Sequence, residues 1–251
     1  MKSQLRAGIV ISYINLAISS LIPFIYTPIM LGMLGQAEYG LYSLAHSVVA
    51  YLSLLSFGFG STIIRYIAKY NAEGNKEAEE RIFGFFILLY CSLAMLVLLG
   101  GVILSNNVEA IFHRGLTDAE QSKMRILVLI MTVNSALSFP VSVFSSVITA
   151  HEKYIYRKLV DMLSTVGVPI ANIIALYFGY ASVGMSVAAT VVQCIMLPLY
   201  AGYCFKSLHL RPRFSLLPKK LIKELLGFST FVFIGSIELA PLVGMADAIV
   251  D

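Results

Sequence analysis

The chain has 251 residues, of which 58% are hydrophobic and 13% charged, with a net charge of +4 and a mean hydropathy of +0.83. Soluble domains run near 25% charged, and the deficit is spread along the whole length, so a soluble globular domain is excluded. The positive balance does not point to nucleic acid, because the basic residues sort by loop instead of gathering into one patch.

An α-helix needs about 20 apolar residues to cross a bilayer. Seven runs reach that length: 8–30, 41–64, 82–104, 126–149, 159–180, 183–205 and 228–250. Backbone groups in lipid are satisfied only within helices or closed barrels, and runs this long predict an all-α, polytopic membrane bundle. The first run follows Lys2 and Arg6 and is longer than a signal-peptide core of about 7–15 residues. It reads as a retained signal-anchor helix. Cys91, Cys194 and Cys204 fall inside predicted spans without metal-ligand spacing and read as buried apolar fillers. No metal or cofactor is expected.

Lys and Arg concentrate in loops that face the cytoplasm. With the N-terminus inside, 15 of the 18 basic residues share one face, and only Arg114, Lys123 and Arg125 fall on the other. Trp is absent, so tyrosines serve as interfacial anchors: Tyr39, Tyr42, Tyr177 and Tyr180 at the outer boundary, Tyr66, Tyr70, Tyr154, Tyr156 and Tyr203 at the inner one.

In the first helix Ser12, Asn15, Ser19 and Tyr26 recur at helical spacing on one face, beside Pro23 and Pro28. A short turn holding Gly35 and Glu38 predicts an antiparallel hairpin. The second run carries His46 and ends near Arg65, and the loop 71–81 mixes Glu77, Glu79 and Glu80 with Lys76 and Arg81 as a solvated helical turn. Thr117 followed by Glu120 matches a capping box at the start of the fourth span.

That fourth span bears a polar stripe of Asn134, Ser138, Ser142, Ser145 and Thr149, with Pro140 alongside. The fifth offers Asp161, Thr165 and Asn172 with Pro169; the sixth offers Ser186, Thr190 and Gln193 with Pro198. Taken singly, each hydroxyl is ordinary interhelical hydrogen bonding. Together, stripes on four helices predict a hydrated lining, since proline in a membrane helix frees carbonyls tolerable only against protein or a wet cavity.

His151 and Glu152 read as part of a solvated loop. Arg65 and Asp161 lie near span ends, where snorkelling explains them as well as function does. Glu238, Asp247 and Asp251 all belong to the last run, where a mid-membrane charge costs at least about 2.5 kcal/mol. Residues 206–227 are basic and amphipathic after Pro218, as expected of a short helix on the inner leaflet. No HExxH, P-loop, G-x-S-x-G or Cys/His set occurs, so no catalytic residue is assigned.

The stretch LGMLGQAEYGLYSL (31–44), then GFGSTIIRYIAKY (58–70) and the charged loop, resembles the opening of bacterial polysaccharide flippases of the MATE-like superfamily. The resemblance implies a six-helix N-terminal lobe over 1–205, a connector over 206–227 and the first helix of a second lobe over 228–251. It implies alternating-access flipping of undecaprenyl-diphosphate-linked oligosaccharide across the bacterial inner membrane, for O-antigen, capsule or exopolysaccharide synthesis, among membrane lipids and polysaccharide assembly proteins. The substrate-binding candidates are Arg65, which could attract the diphosphate, with Asn15, Tyr26, Asn134, Asn172 and Gln193. The ion-coupling candidates are Glu238, Asp247, Asp251 and Asp161. The chain departs from a strongly cationic cavity, because Arg65 alone among Arg and Lys is placed within a span. A cation-coupled multidrug exporter is the alternative in the same superfamily, and a polymerase or glycosyltransferase the alternative of another class. The seventh run leaves an unpaired helix, so the chain is expected to be half of a protein about twice as long.

Overall fold

A computed structural model describes residues 2–53, 59–112, 115–214, 223 and 227. The described residues form eight helices and no strand: α1 (Lys2–Leu34), α2 (Gln36–Ser53), α3 (Phe59–Ala72), α4 (Lys76–Asn106), α5 (Val108–Phe112), α6 (Asp118–Ala150), α7 (Tyr154–Tyr177) and α8 (Ala181–Lys206). Five of them (α1, α4, α6, α7 and α8) are long and apolar enough to cross a membrane. The run 41–64 is divided between α2 and α3. The run 228–250, with Glu238, Asp247 and the adjoining Asp251, lies outside the described residues, as does most of the amphipathic stretch after Pro218.

Local signals fix the helix ends. Gly35 turns α1 into α2 at φ +78°, a conformation a Cβ would strain. Asn75 starts α4 by accepting the Ala78 N–H at 3.0 Å. At the start of α6, the Thr117 hydroxyl accepts the Glu120 N–H while the Glu120 carboxylate accepts the Thr117 N–H at 2.8 Å, the expected capping box.

The core is a row of aromatics between α4 and α6. Phe83, Phe86 and Tyr90 meet Phe139, Val143, Phe144 and Val147, and Tyr200 and Cys204 of α8 close the other side. The two helices approach closely: a Cβ on Gly101 would lie 2.2 Å from the Thr132 side chain. The outer surface is apolar too, with Leu96, Leu99 and Ile103 of α4 exposed, as lipid-facing helices require.

That surface corrects two expectations. Cys91 and Cys194 are exposed and only Cys204 is buried, because in a bundle apolar on both sides hydrophobicity no longer marks the interior. Tyr66, expected at the interface, is 3% exposed and packs in the core.

Two ends of the bundle are tied by polar contacts. At one end Glu38 of α2 accepts from Lys123 of α6 (2.8 Å) and from the N–H and hydroxyl of Ser182 at the start of α8. The other end carries the α3–α4 and α6–α7 turns. Here Glu79 and Glu80 are buried, not solvated. His151 is half-buried as well, its Nε2 2.9 Å from Glu79. The two corrections have different causes: the α6–α7 turn brings His151 onto Glu79, whereas residues 207–214 fold back across the first turns of α4 onto Glu80. The Arg213 N–H donates to the Glu80 carbonyl and its guanidinium pairs with Glu80 at 3.0 Å and Glu77 at 3.3 Å. The backbone passes so near Gly84 that a Cβ there would sit 2.4 Å from the Arg213 carbonyl oxygen.

Candidate functional site

α1 is the least buried of the long helices, and it leans on α7. The two enclose a groove of about 590 Å³. From α1 it is lined by Ser19, Ile22, Pro23 and Tyr26, and from α7 by Asp161, Ser164, Thr165, Val168 and Pro169. Each set steps by three and four residues, so one face of each helix supplies the wall.

The prolines give this wall its chemistry. Pro23 and Pro169 have no N–H, so the carbonyls of Ser19 and Thr165, four residues earlier, lose their helical donors. Both residues line the groove. Asp161 adds a carboxylate between them and the end that carries the α6–α7 turn. The groove therefore presents hydrogen-bond acceptors inside a predicted span, where each is costly unless met by a donor.

Asp161 is held from two sides. The Tyr200 hydroxyl of α8 donates to Oδ1 at 2.5 Å, and Arg157, one turn earlier on α7, has its Nε 3.6 Å from Oδ2. Arg157 Nη1 donates to the Thr149 hydroxyl of α6 at 2.6 Å. A chain of contacts thus runs from α6 through Arg157 and Asp161 to α8, with one end open to the groove.

Further along α7, Asn172 is 3% exposed and its Nδ2 donates to the Tyr26 hydroxyl at 2.9 Å. Its Oδ1 is buried with no hydrogen-bond partner. Near the other mouth, Asn15 Nδ2 donates to the Lys158 carbonyl at 3.4 Å.

Of the residues singled out from sequence, the structure brings Asn15, Tyr26, Asp161 and Asn172 to the α1–α7 interface. Asn134 on α6 and Gln193 on α8 are half-buried and do not border the groove. Arg65 is exposed on α3, its guanidinium 5.8 Å from the Tyr66 ring centre. The α6 hydroxyls largely satisfy themselves: Ser138 donates to Ser135, Ser145 to Ser142 and Thr149 to Ser145 carbonyls. Sequence reasoning missed Arg157, which it counted as a loop residue. The signal was present in the four-residue spacing to Asp161, because α7 begins already at Tyr154.

A family model described as "Polysaccharide biosynthesis protein" matches residues 5–249. No curated protein matches the chain. Among solved structures, a MATE protein with a proline-to-alanine mutation is similar at TM-score 0.73 and 13% identity, covering 96% of this chain and 56% of that one. A MATE protein in complex with MaD3S is similar at 0.69 and 15%, covering 90% and 53%. A MOP superfamily transporter from Pyrococcus furiosus, described as having a binding pocket of reverse polarity, is similar at 0.62 and 15%, covering 90% and 52%. The chain spans about half the length of these solved structures, and the likeness is one of fold.

Proposed function

Because this chain belongs to the polysaccharide biosynthesis protein family, we propose that it acts in a membrane transporter and not as an enzyme. Its cargo is undecaprenyl-diphosphate-linked oligosaccharide, which it moves between the leaflets of the bacterial inner membrane by alternating access. The N-terminus is cytoplasmic, since the basic residues gather at the end with the α6–α7 turn. The cargo comes from the cytoplasmic leaflet.

The observation that carries this reading is the α1–α7 groove. It sets a carboxylate, Asp161, and the carbonyl freed by Pro169 on α7 against the carbonyl freed by Pro23 on α1. Sugar hydroxyls are the donors such a wall lacks, and water-filled contact with them lowers the cost of burying these acceptors. Asp161 is also the ion-coupling candidate among the described residues, as an acid two turns into a span and next to a tyrosine and an arginine. An acidic, tyrosine-bearing groove equally favours a cation-coupled multidrug exporter, which is the second reading.

Proteoliposomes separate the two. Purified full-length protein should make an externally added prenyl-diphosphate oligosaccharide inaccessible to glycosidase, at a rate that empty liposomes lack. Efflux of an organic cation such as ethidium without oligosaccharide movement would establish the second reading instead.

A further inference from the structure

The guanidinium of Arg157 is underused. It has five N–H donors, yet it makes one firm hydrogen bond, to Thr149 at 2.6 Å, and a loose pair with Asp161 at 3.6 Å. Its Nε is buried without a hydrogen-bond partner. Two thirds of the side chain is covered, so the charge is poorly hydrated while only partly matched by protein. A planar guanidinium in that condition is suited to a second oxyanion, which it takes in bidentate fashion.

The surroundings limit what that oxyanion can be. Asp161 lines the groove, and Arg157 lies one turn nearer the mouth on the same face of α7, near the point where Asn15 meets the Lys158 carbonyl. The Asp161 carboxylate has a second partner, Tyr200 on α8, and so remains hydrogen-bonded when Arg157 leaves it. Thr149 holds the guanidinium from α6, beside the groove-lining Asp161 and not in the groove wall itself. Nothing in this arrangement requires the Arg157–Asp161 pair to persist.

We propose that Arg157 is a shared cation for which Asp161 and a phosphate-bearing ligand compete. The ligand's phosphate replaces the carboxylate on the Nε side, and Asp161 is released to the groove, held by Tyr200 alone. This rests on the transporter reading and adds to it: phosphate recognition is assigned to Arg157, not Arg65, and binding is linked to the state of the groove's acid. Removing a negative charge that merely braces the arginine loosens a site, whereas removing a competitor tightens it. The sign of the Asp161 effect excludes bracing, and loss of the gain on an Arg157→Gln background separates competition for the guanidinium from plain charge repulsion.

The test is calorimetric titration of inorganic pyrophosphate into full-length protein in phosphatidylcholine nanodiscs. Arg157→Gln should weaken binding about tenfold or more, as loss of charge-assisted bonds implies, and Arg157→Lys should keep part of it. Asp161→Asn should bind pyrophosphate several-fold more tightly than the unaltered protein, with Asp161→Ala as the substitute if the first does not fold. A second series in discs containing phosphatidylglycerol identifies the source of the phosphate. An Arg157-dependent fall in apparent affinity there means lipid headgroups share the site, and no change means they do not. Equal or weaker binding in a folded Asp161 variant, or unaltered binding in Arg157→Gln, overturns the proposal. The transporter reading would fail separately, by absence of oligosaccharide movement despite this binding pattern.

Discussion

Asn172 of α7 donates a 2.9 Å hydrogen bond to the hydroxyl of Tyr26 on α1, and with the Asn15 bond to the Lys158 carbonyl it ties the two helices on either side of the groove. Tyr26→Phe leaves the buried Asn172 amide with neither donor nor acceptor satisfied, since its Oδ1 already lacks a partner. The expected cost is about 1–3 kcal/mol. It should be read as a drop of several degrees in melting temperature in detergent, with Asn172→Leu less damaging than Tyr26→Phe because it removes the orphaned groups. Equal stability of Tyr26→Phe and the unaltered protein would mean the bond carries no load.

Glu38 gathers α2, α6 and α8 at the opposite end through Lys123 and Ser182. The Lys123 pair is partly solvent-exposed and contributes little. The two bonds to Ser182 dominate, because they also cap the start of α8. Glu38→Ala is expected to cost about 1–2 kcal/mol, and Lys123→Ala clearly less. Thermal unfolding of both variants checks the order.

His151 is a pH-dependent tie. Its Nδ1 faces the Val147 carbonyl and its Nε2 the Glu79 carboxylate, so both ring nitrogens need a proton and the pair asks for imidazolium. Burial lowers the His151 pKa, but the bonds to Glu79 and Val147 outweigh it and hold the value above the ordinary 6.5, against a small opposing effect of Lys153. A raised folded-state value means the stabilisation is complete below about pH 6.5 and is lost as pH rises through the folded value. Melting temperature should therefore fall between pH 6 and pH 8.5 in the unaltered protein. In His151→Gln that slope should flatten, and an unchanged slope would remove His151 from the account.

The strap over α4 depends on a missing side chain. Gly84→Val places atoms where the Arg213 carbonyl lies and should lift residues 207–214 from Glu80. Limited proteolysis then cuts at Arg211 or Arg213 faster than in the unaltered protein. Equal cutting would show that the strap tolerates the clash.

The helices were legible because length and apolarity state a membrane span directly, as in the runs that became α4, α6 and α8. The groove was legible in part. Ser19 and Tyr26 share a face by spacing alone, and Pro23 and Pro169 announce freed carbonyls, but pairing α1 with α7 is a tertiary fact that no local pattern contains. Glu79, Glu80 and His151 were misread for the same reason: their partners, Arg213 and Glu79 itself, lie far away in sequence. Charge beside a span edge looks solvated until a distant segment covers it.

The central claim is that the α1–α7 groove is the path of the cargo, and blocking it is the most direct measurement. Ser164 lines the groove, whereas Tyr177 near the end of the same helix is 81% exposed outside it. Full-length Ser164→Trp and Tyr177→Trp, reconstituted in proteoliposomes at equal amounts and with unaltered melting temperatures, are compared for movement of prenyl-diphosphate oligosaccharide. The account predicts that Ser164→Trp abolishes movement and Tyr177→Trp preserves it. Unimpaired movement by Ser164→Trp would contradict it.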